Sequence, residues 1–250
     1  MDKQTETEKR RIQLLSVPLD IVSDENLDAV IEELLGREGS NQIVLLDLWD
    51  FIRARGNSVF AQSVRTAALV LPTSKIVQSI AWFLTKRRVT RVLPFDFVIK
   101  LLALLERKNR SVYIIGSRAG VLQTAASNVR GSFPDLQIVG RCAGFFETSD
   151  EEDIILAIRK AAPSLILAGN GLPGRDRWPH LHRTKFAEGL TLWCGACIEM
   201  FAGKRKRTSR ELWGRGLDFV PILVRNPWRF FRLFVYFWLM IQVTYNRIRG

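Results

Sequence analysis

Short apolar runs punctuate the chain: NQIVLLDL, ALVLP, RSVYIIGS, LQIVGRC, SLILAGNG and LTLWCGA, each ending at Gly, Pro or a polar turn. Runs of this length, rich in β-branched residues and closed by turn signals, read as strands buried on both faces. Helical patterns lie between them, in DFVIKLLALLERKN, AGVLQTAASNVRGSF and DEEDIILAIRKAA. Strand, helix and strand joined by short links bury their apolar faces as a parallel sheet. The expected fold class is therefore α/β, a Rossmann-like parallel sheet with helices on both faces. Ahead of these, IQLLSVPLDIVS reads as one or two short strands. SDENLDAVIEELLGREG reads as a helix capped at Ser23 or Asp24, striped by Leu27, Val30, Ile31, Leu34 and Leu35, and stopped at Gly36 or Gly39. IEMFAG, after the last apolar run, is expected as a further strand.

With 250 residues and 47% hydrophobic side chains the chain can bury one sizeable core. The expected organisation is a polar leader over residues 1–14, an α/β domain over 15–203 and a basic, aromatic appendage over 204–250. The change of character falls at GKRKRTSRELWGRG.

The formal charge is +12, and its placement says more than its sum. Residues 1–50 carry 5 Lys/Arg against 12 Asp/Glu, whereas residues 203–250 carry 11 against 2. Phosphate contact is thus expected at the C-terminal end. A nucleic-acid partner would rest on charge alone and is not expected. Three cysteines, Cys142, Cys194 and Cys197, make no disulfide framework and suit a reducing compartment. The opening MDKQTETEKRR lacks the apolar segment of a signal peptide.

In a parallel sheet ligands collect beyond the carboxyl ends of the strands. In YIIGSRAGVLQTAA a glycine turn leads from strand to helix, where free amides suit a phosphate; Gly116 and Gly120 equally suit a tight turn. AGNGLPGRDRW combines three glycines and a proline with Arg175 and Arg177, donors for phosphate oxygens or ordinary solvated surface. The CxxC of WCGAC sits late in the chain, unlike the early strand-to-helix turn of a thioredoxin, and no second close pair completes a zinc site. Buried inert thiols are expected there, and His180 and His182 are expected at the surface or behind the site. No GxSxG, HExxH or P-loop occurs, no DxD-type pair indicates a metal, and no cofactor is expected.

The tail NPWRFFRLFVYFWLMIQVTYNRIRG is uncharged from Leu233 to Val243. That stretch gives about 16 Å of helix, against the roughly 30 Å of a hydrocarbon core. Trp228, Tyr236, Trp238 and Tyr245, flanked by Arg229, Arg232, Arg247 and Arg249, suit the interface of an anionic membrane. A core-packing helix or a homo-oligomer contact is the other role open to it.

Taken in order, these segments resemble the WecB/TagA/CpsF glycosyltransferases. VYIIGSRAGVLQTAASNVRGSFPDLQIVGRCAGFF is similar to the family's glycine turn, helix, YPxLxIVG and GYF. GNGLPGRDRW is similar to GxGxPKQExW at Gly169, Gly171, Pro173 and Trp178, and CGACIEMFAGKRKR to GGAFDFLAGxxxR at Gly195, Ala196, Phe201, Ala202, Gly203 and Arg207. The resemblance implies transfer of an N-acetylmannosamine-type sugar from a UDP donor to a polyprenyl-diphosphate-linked acceptor. The work would be done peripherally at the cytoplasmic face of the bacterial inner membrane. It implies a nucleotide-sugar site at Arg91, Gly116, Gly169, Gly171, Pro173, Arg175 and Asp176. Contacts to the acceptor diphosphate and membrane would come from Arg207, Trp228, Arg229, Arg232 and Trp238.

The chemical positions depart from the family's pattern. Its LPDG aspartate, the general base, is Thr73 here. Its TxNxE reads Leu45, Asp47 and Trp49, PKQE reads Pro173, Gly174, Arg175 and Asp176, and GLEWxxR ends at Ile222. RVxGxD keeps Arg91 and Asp96 without its glycine, and EPxR keeps Pro227 and Arg229. A threonine does not accept a proton near neutral pH, so in an active enzyme Asp47 or Asp96 supplies the base, or substrate groups make one unnecessary. The alternative is a catalytically inactive member serving as a membrane-associated binding or scaffold protein.

Overall fold

The computed structural model describes residues 10–186, 188–216, 235–239 and 241–244. Its strands are β1 (Arg10–Leu14), β2 (Val17–Ile21), β3 (Ser40–Leu46), β4 (Leu69–Pro72), β5 (Ser111–Ile115), β6 (Gln137–Cys142), β7 (Leu165–Gly169) and β8 (Gly189–Gly195). β1 and β2 pair as an antiparallel hairpin. The other six form one parallel sheet in the order β4-β3-β8-β7-β5-β6. The helices are α1 (Leu27–Leu35), α2 (Leu48–Ala54), α3 (Val59–Thr66), α4 (Lys75–Thr85), α5 (Pro94–Arg107), α6 (Ala119–Ser132), α7 (Glu151–Ala161), α8 (Trp178–Leu181), α9 (Cys197–Phe201) and α10 (Arg210–Arg215).

Successive strand residues point to opposite faces, and both faces are covered. Ile43, Leu71, Val112, Ile114 and Leu167 pack under α1, α5, α6 and α9. Their neighbours Val44, Leu46 and Val70 pack under the hairpin, α2, α3 and α4. On that second face, Tyr113, Ile115 and Ile166 lie under α7 and α8. The chain thus has the expected Rossmann-like α/β architecture.

Four differences from the sequence reading have local causes. β1 begins at Arg10, inside the stretch read as polar leader. Arg11 holds it there, donating from Nε and Nη2 to both carboxylate oxygens of Asp20 at 2.8 Å and to Ala67 O at 2.8 Å. IEMFAG is not a strand, because the chain turns at Gly195 into the one-turn helix α9. α1 is capped at Asn26 rather than Ser23 or Asp24, with Ser23 Oγ accepting the Asn26 N–H at 3.2 Å. Helices α2, α3 and α4 also appear, each started by a side chain that accepts an amide of the first turn: Asp47, Ser58 and Ser74.

Asp20 is fully buried and also accepts the Val70 N–H at 2.7 Å, tying the hairpin to the sheet. Breaking a buried pair from one side leaves an uncompensated charge. Arg11→Met should therefore lower unfolding free energy by roughly 2–4 kcal/mol, the lower part of the usual range because Arg11 is partly solvated. Urea denaturation measures it.

No helix among the described residues is long and apolar enough to cross a membrane. Residues 235–239 and 241–244 are helical, and Leu239 and Val243 are buried in the core formed with α2 and α4. Arg55 Nη1 donates to Gln242 Oε1 at 2.7 Å, fixing this helix to the end of α2. Phe237 is 69% exposed and Trp238 60% exposed. These described residues thus present one stripe to the core and another to the outside, a division that the all-round apolar sequence does not reveal. Trp228, Arg229, Arg232, Ile222 and Pro227 lie outside the described residues.

Candidate functional site

The loops beyond the carboxyl edge of the sheet form the candidate site. The helix after β5 packs on one face and the segment after β7 on the other, while the loops at Gly116 and Gly169 close on each other at the edge, the Ser117 N–H donating to Asn170 O at 2.5 Å. The floor is backbone. The Gly144 N–H donates to Ser117 O at 2.7 Å, the Phe145 N–H to Gly171 O at 2.7 Å and the Asn170 N–H to Gly195 O at 3.2 Å. Gly116, at φ 127°, has room for no side chain, since a Cβ would stand 2.8 Å from the Gly169 carbonyl carbon. At Gly171 a Cβ would meet the Phe145 ring at 2.6 Å. The ring itself is 67% exposed.

Behind this floor, Asn170 Nδ2 donates to Glu199 Oε1 at 3.3 Å. The other oxygen of that carboxylate, Oε2, is buried without a hydrogen-bond partner among the described residues. A buried carboxylate oxygen without a donor costs free energy, and a hydroxyl reaching it would remove that cost.

A second cluster sits where β3 and β4 end. The Thr73 N–H and Oγ1 both donate to Leu46 O, at 2.8 and 3.2 Å. Asp47, the next residue, caps α2 by accepting the Asp50 N–H at 2.7 Å. Arg53 Nη1 joins Asp50 at 3.0 Å to Asp176 at 2.7 Å, so the loop after β7 is strapped to α2. Burial, reinforced by the neighbouring Asp47 charge, pushes the Asp50 carboxyl up from 3.8 to about 7 against the opposing pull of Arg53. Such an acid binds its proton more tightly folded than unfolded, so stability falls as pH rises from about 4 to about 7. Asp50→Asn removes that titration. Its melting temperature relative to wild type should rise between pH 5 and pH 8, followed by calorimetry at several pH values.

α10 roofs this cluster. Trp213 Nε1 donates to Thr73 O at 3.1 Å, and its ring lies 3.7 Å from the Arg91 guanidinium, which donates to Trp213 O at 2.8 Å. Arg210 pairs with Asp96 at 2.8 Å. Arg207 stacks over Phe95 at 4.4 Å.

The structure thus brings Gly116, Gly169 and Gly171 together at the carboxyl edge and Thr73, Arg91 and Asp96 against α10, with the exposed Asp47 adjoining Thr73 through Leu46. Pro173 and the exposed Arg175 lie on the strapped loop between them. Asp96 and Asp176 are each held by an arginine. Trp178, read from the motif beside the site, is a core residue with no exposed surface. Sequence reasoning missed Phe145, Glu199, Asp50, Arg53 and Trp213. Glu199 falls within the CGACIEMFAG segment, and its acidity amid apolar neighbours was the available signal. Phe145 falls in the segment similar to GYF, and nothing local marks the other three.

Cys194 and Cys197 are buried free thiols. The Cys194 thiol is pushed up by its hydrogen bond with Cys197 and by burial, as expected of inert cysteines. His182 Nε2 lies 3.3 Å from Glu151 beneath Trp178, and burial lowers the pKa of both His180 and His182.

A six-stranded parallel sheet covered by helices, with its glycine-rich loops gathered at the carboxyl edge, defines a Rossmann-like α/β protein. Residues 12–250 match the Glycosyl transferase WecG/TagA/CpsF family, and the chain belongs to it. It is similar to the N-acetylglucosaminyldiphosphoundecaprenol N-acetyl-beta-D-mannosaminyltransferase of Bacillus subtilis, at 23% identity over 66% of this chain and 63% of that protein's length. The protein of the same name from Bacillus spizizenii is 22% identical over 72% of this chain and 69% of its own length. That from Staphylococcus aureus is 18% identical over 79% and 78%.

Proposed function

We propose that the protein transfers an N-acetylmannosamine-type sugar from a UDP donor to a polyprenyl-diphosphate-linked acceptor in bacterial cell-surface polysaccharide synthesis. The observation that carries this reading is the match of residues 12–250 to the glycosyltransferase family, with Phe145 standing exposed at the carboxyl edge of the sheet. Phe145 offers an open aromatic face for a base. In the reaction the bond from the anomeric carbon to the UDP oxygen breaks, the leaving oxygen keeps the electron pair, and the acceptor hydroxyl oxygen bonds to that carbon. Arg91 and Arg175 neutralise the charge growing on UDP, the largest demand of such a step. Asp47 takes the hydroxyl proton. Arg207 and the tail arginines Arg229 and Arg232 serve the acceptor diphosphate. We assign residues 10–203, strand β1 included, to the transferase core and 204–250 to a membrane-contacting appendage working at the cytoplasmic face of the inner membrane.

The test is release of UDP from UDP-N-acetylmannosamine by the full chain, with membrane-extracted lipid acceptor. The second reading, an inactive scaffold, draws on Thr73 standing where the family places its base, with its hydroxyl turned to a carbonyl. No release from wild type, with release restored by Thr73→Asp, would establish that reading instead. For membrane contact, Phe237→Ser with Trp238→Ser changes only exposed surface. The pair should move the protein from anionic liposomes to the supernatant on sedimentation, and unchanged sedimentation would count against the appendage.

A further inference from the structure

Between α4 and the C-terminal helix runs a groove of about 910 Å³, within the usual range of ligand sites. Ile76, Ile80 and Phe83 line it from α4, facing Leu48, Tyr236 and Leu239. α4 contributes one face along about two turns. At the inner end stand Lys75 and Arg215. Lys75 follows Thr73 by two residues and donates to the carbonyls of Gly214 and Arg215 at 3.2 and 3.4 Å. Neither cation pairs with a carboxylate among the described residues. The outer end is of different character: Trp82 is 48% exposed beside Phe237, and the exposed Lys86, Arg87 and Arg88 follow directly.

We propose that this groove holds the isoprenoid chain of the acceptor, a deepening that rests on the transferase reading. Two cations at the head of a hydrocarbon-lined trough match a diphosphate joined to a hydrocarbon chain. A purely apolar partner would leave that charge unused. The head end abuts the Thr73 cluster, so a chain lying in the trough delivers the group on its diphosphate to the reacting edge of the sheet. The aromatic and cationic outer end is the composition that rests at a bilayer interface, from which such a chain would enter.

The probe is a benzophenone-bearing farnesyl diphosphate, which carries no sugar, added to the full chain in phosphatidylcholine nanodiscs. Labelled peptides should map to residues 76–83 and 236–244, and unlabelled farnesyl diphosphate should compete. Ser79 is an exposed lining residue, so Ser79→Trp fills the trough without disturbing the core and should cut labelling at least tenfold at unchanged melting temperature. Ser79→Phe, a smaller filling, should give an intermediate loss and guards against misfolding of the first variant. Labelling elsewhere, undiminished labelling of Ser79→Trp, or equal competition by lysophosphatidate would overturn the assignment. If UDP release fails while the label still maps to the trough, the transferase reading falls and the groove assignment stands.

Discussion

Asp47→Asn should lower UDP-releasing turnover by roughly 10²- to 10⁴-fold, the usual worth of a positioned general base, while leaving the fold intact. The two effects separate because asparagine caps a helix about as well as aspartate. The substitution keeps an oxygen for the Asp50 N–H, accepted now at 2.7 Å, and removes only the ability to take a proton. Stability should change by less than about 0.5 kcal/mol, whereas Asp47→Ala, which loses the cap as well, should cost about 1 kcal/mol. The resemblance adds a sharper form. The family pattern has asparagine at this position and aspartate at position 73; here the carboxylate and the uncharged residue are exchanged. The two positions adjoin, since Thr73 donates twice to the carbonyl of Leu46, immediately before Asp47. Asp47→Asn combined with Thr73→Asp returns the carboxylate to the family's position and should recover most of the lost rate. If Asp47→Asn alone retains full turnover, the proton goes elsewhere.

That exchange also shows what the sequence could and could not convey. The sheet was legible because buried parallel strands are apolar and stop at turn residues; all six runs are strands, although β6, at the sheet's edge, is largely exposed instead of buried on both faces. α2, α3 and α4 were not marked, although Asp47, Ser58 and Ser74 stand at their starts. α4, as long as α7, buries Val77, Ile80 and Ala81 at helical spacing that the sequence does display, whereas α2 and α3, with seven and eight residues, are about two turns each. α9 is shorter still, and its apolar alternation imitates a strand. In the site, the glycines could be read because a tight turn dictates residue type locally. The groups around them could not. Arg53 meets Asp176 across 123 residues, and Trp213 reaches Thr73 across 140. Such pairings follow from topology, which a linear reading leaves open.

Trp178 shows the same limit from the other side, and its replacement by alanine should be the most damaging substitution for stability. Trp178 closes the motif from which Gly169, Gly171 and Pro173 were assigned to the site, but it does not stand with them. Instead the indole is fully buried against β5 and β7, with the Phe186 ring at 5.8 Å and the His182 ring at 5.0 Å. Its Nε1–H donates to Glu151 Oε1 at 2.8 Å, at the start of α7. Trp178→Ala leaves a cavity in a packed layer and a half-buried carboxylate short of a donor, a loss of about 3–5 kcal/mol. Against a typical total of about 5–15 kcal/mol, that suffices to unfold a marginal chain. Trp178→Phe keeps most of the volume and loses the hydrogen bond, so about 1–2 kcal/mol is expected. Urea unfolding of both variants measures the difference. The consequence for function is indirect, because Trp178 anchors the loop in which Asp176 meets Arg53 and Arg175 faces outward. Trp178→Phe should therefore weaken donor binding in step with its loss of stability. A variant that loses donor affinity at undiminished stability would return Trp178 to the site.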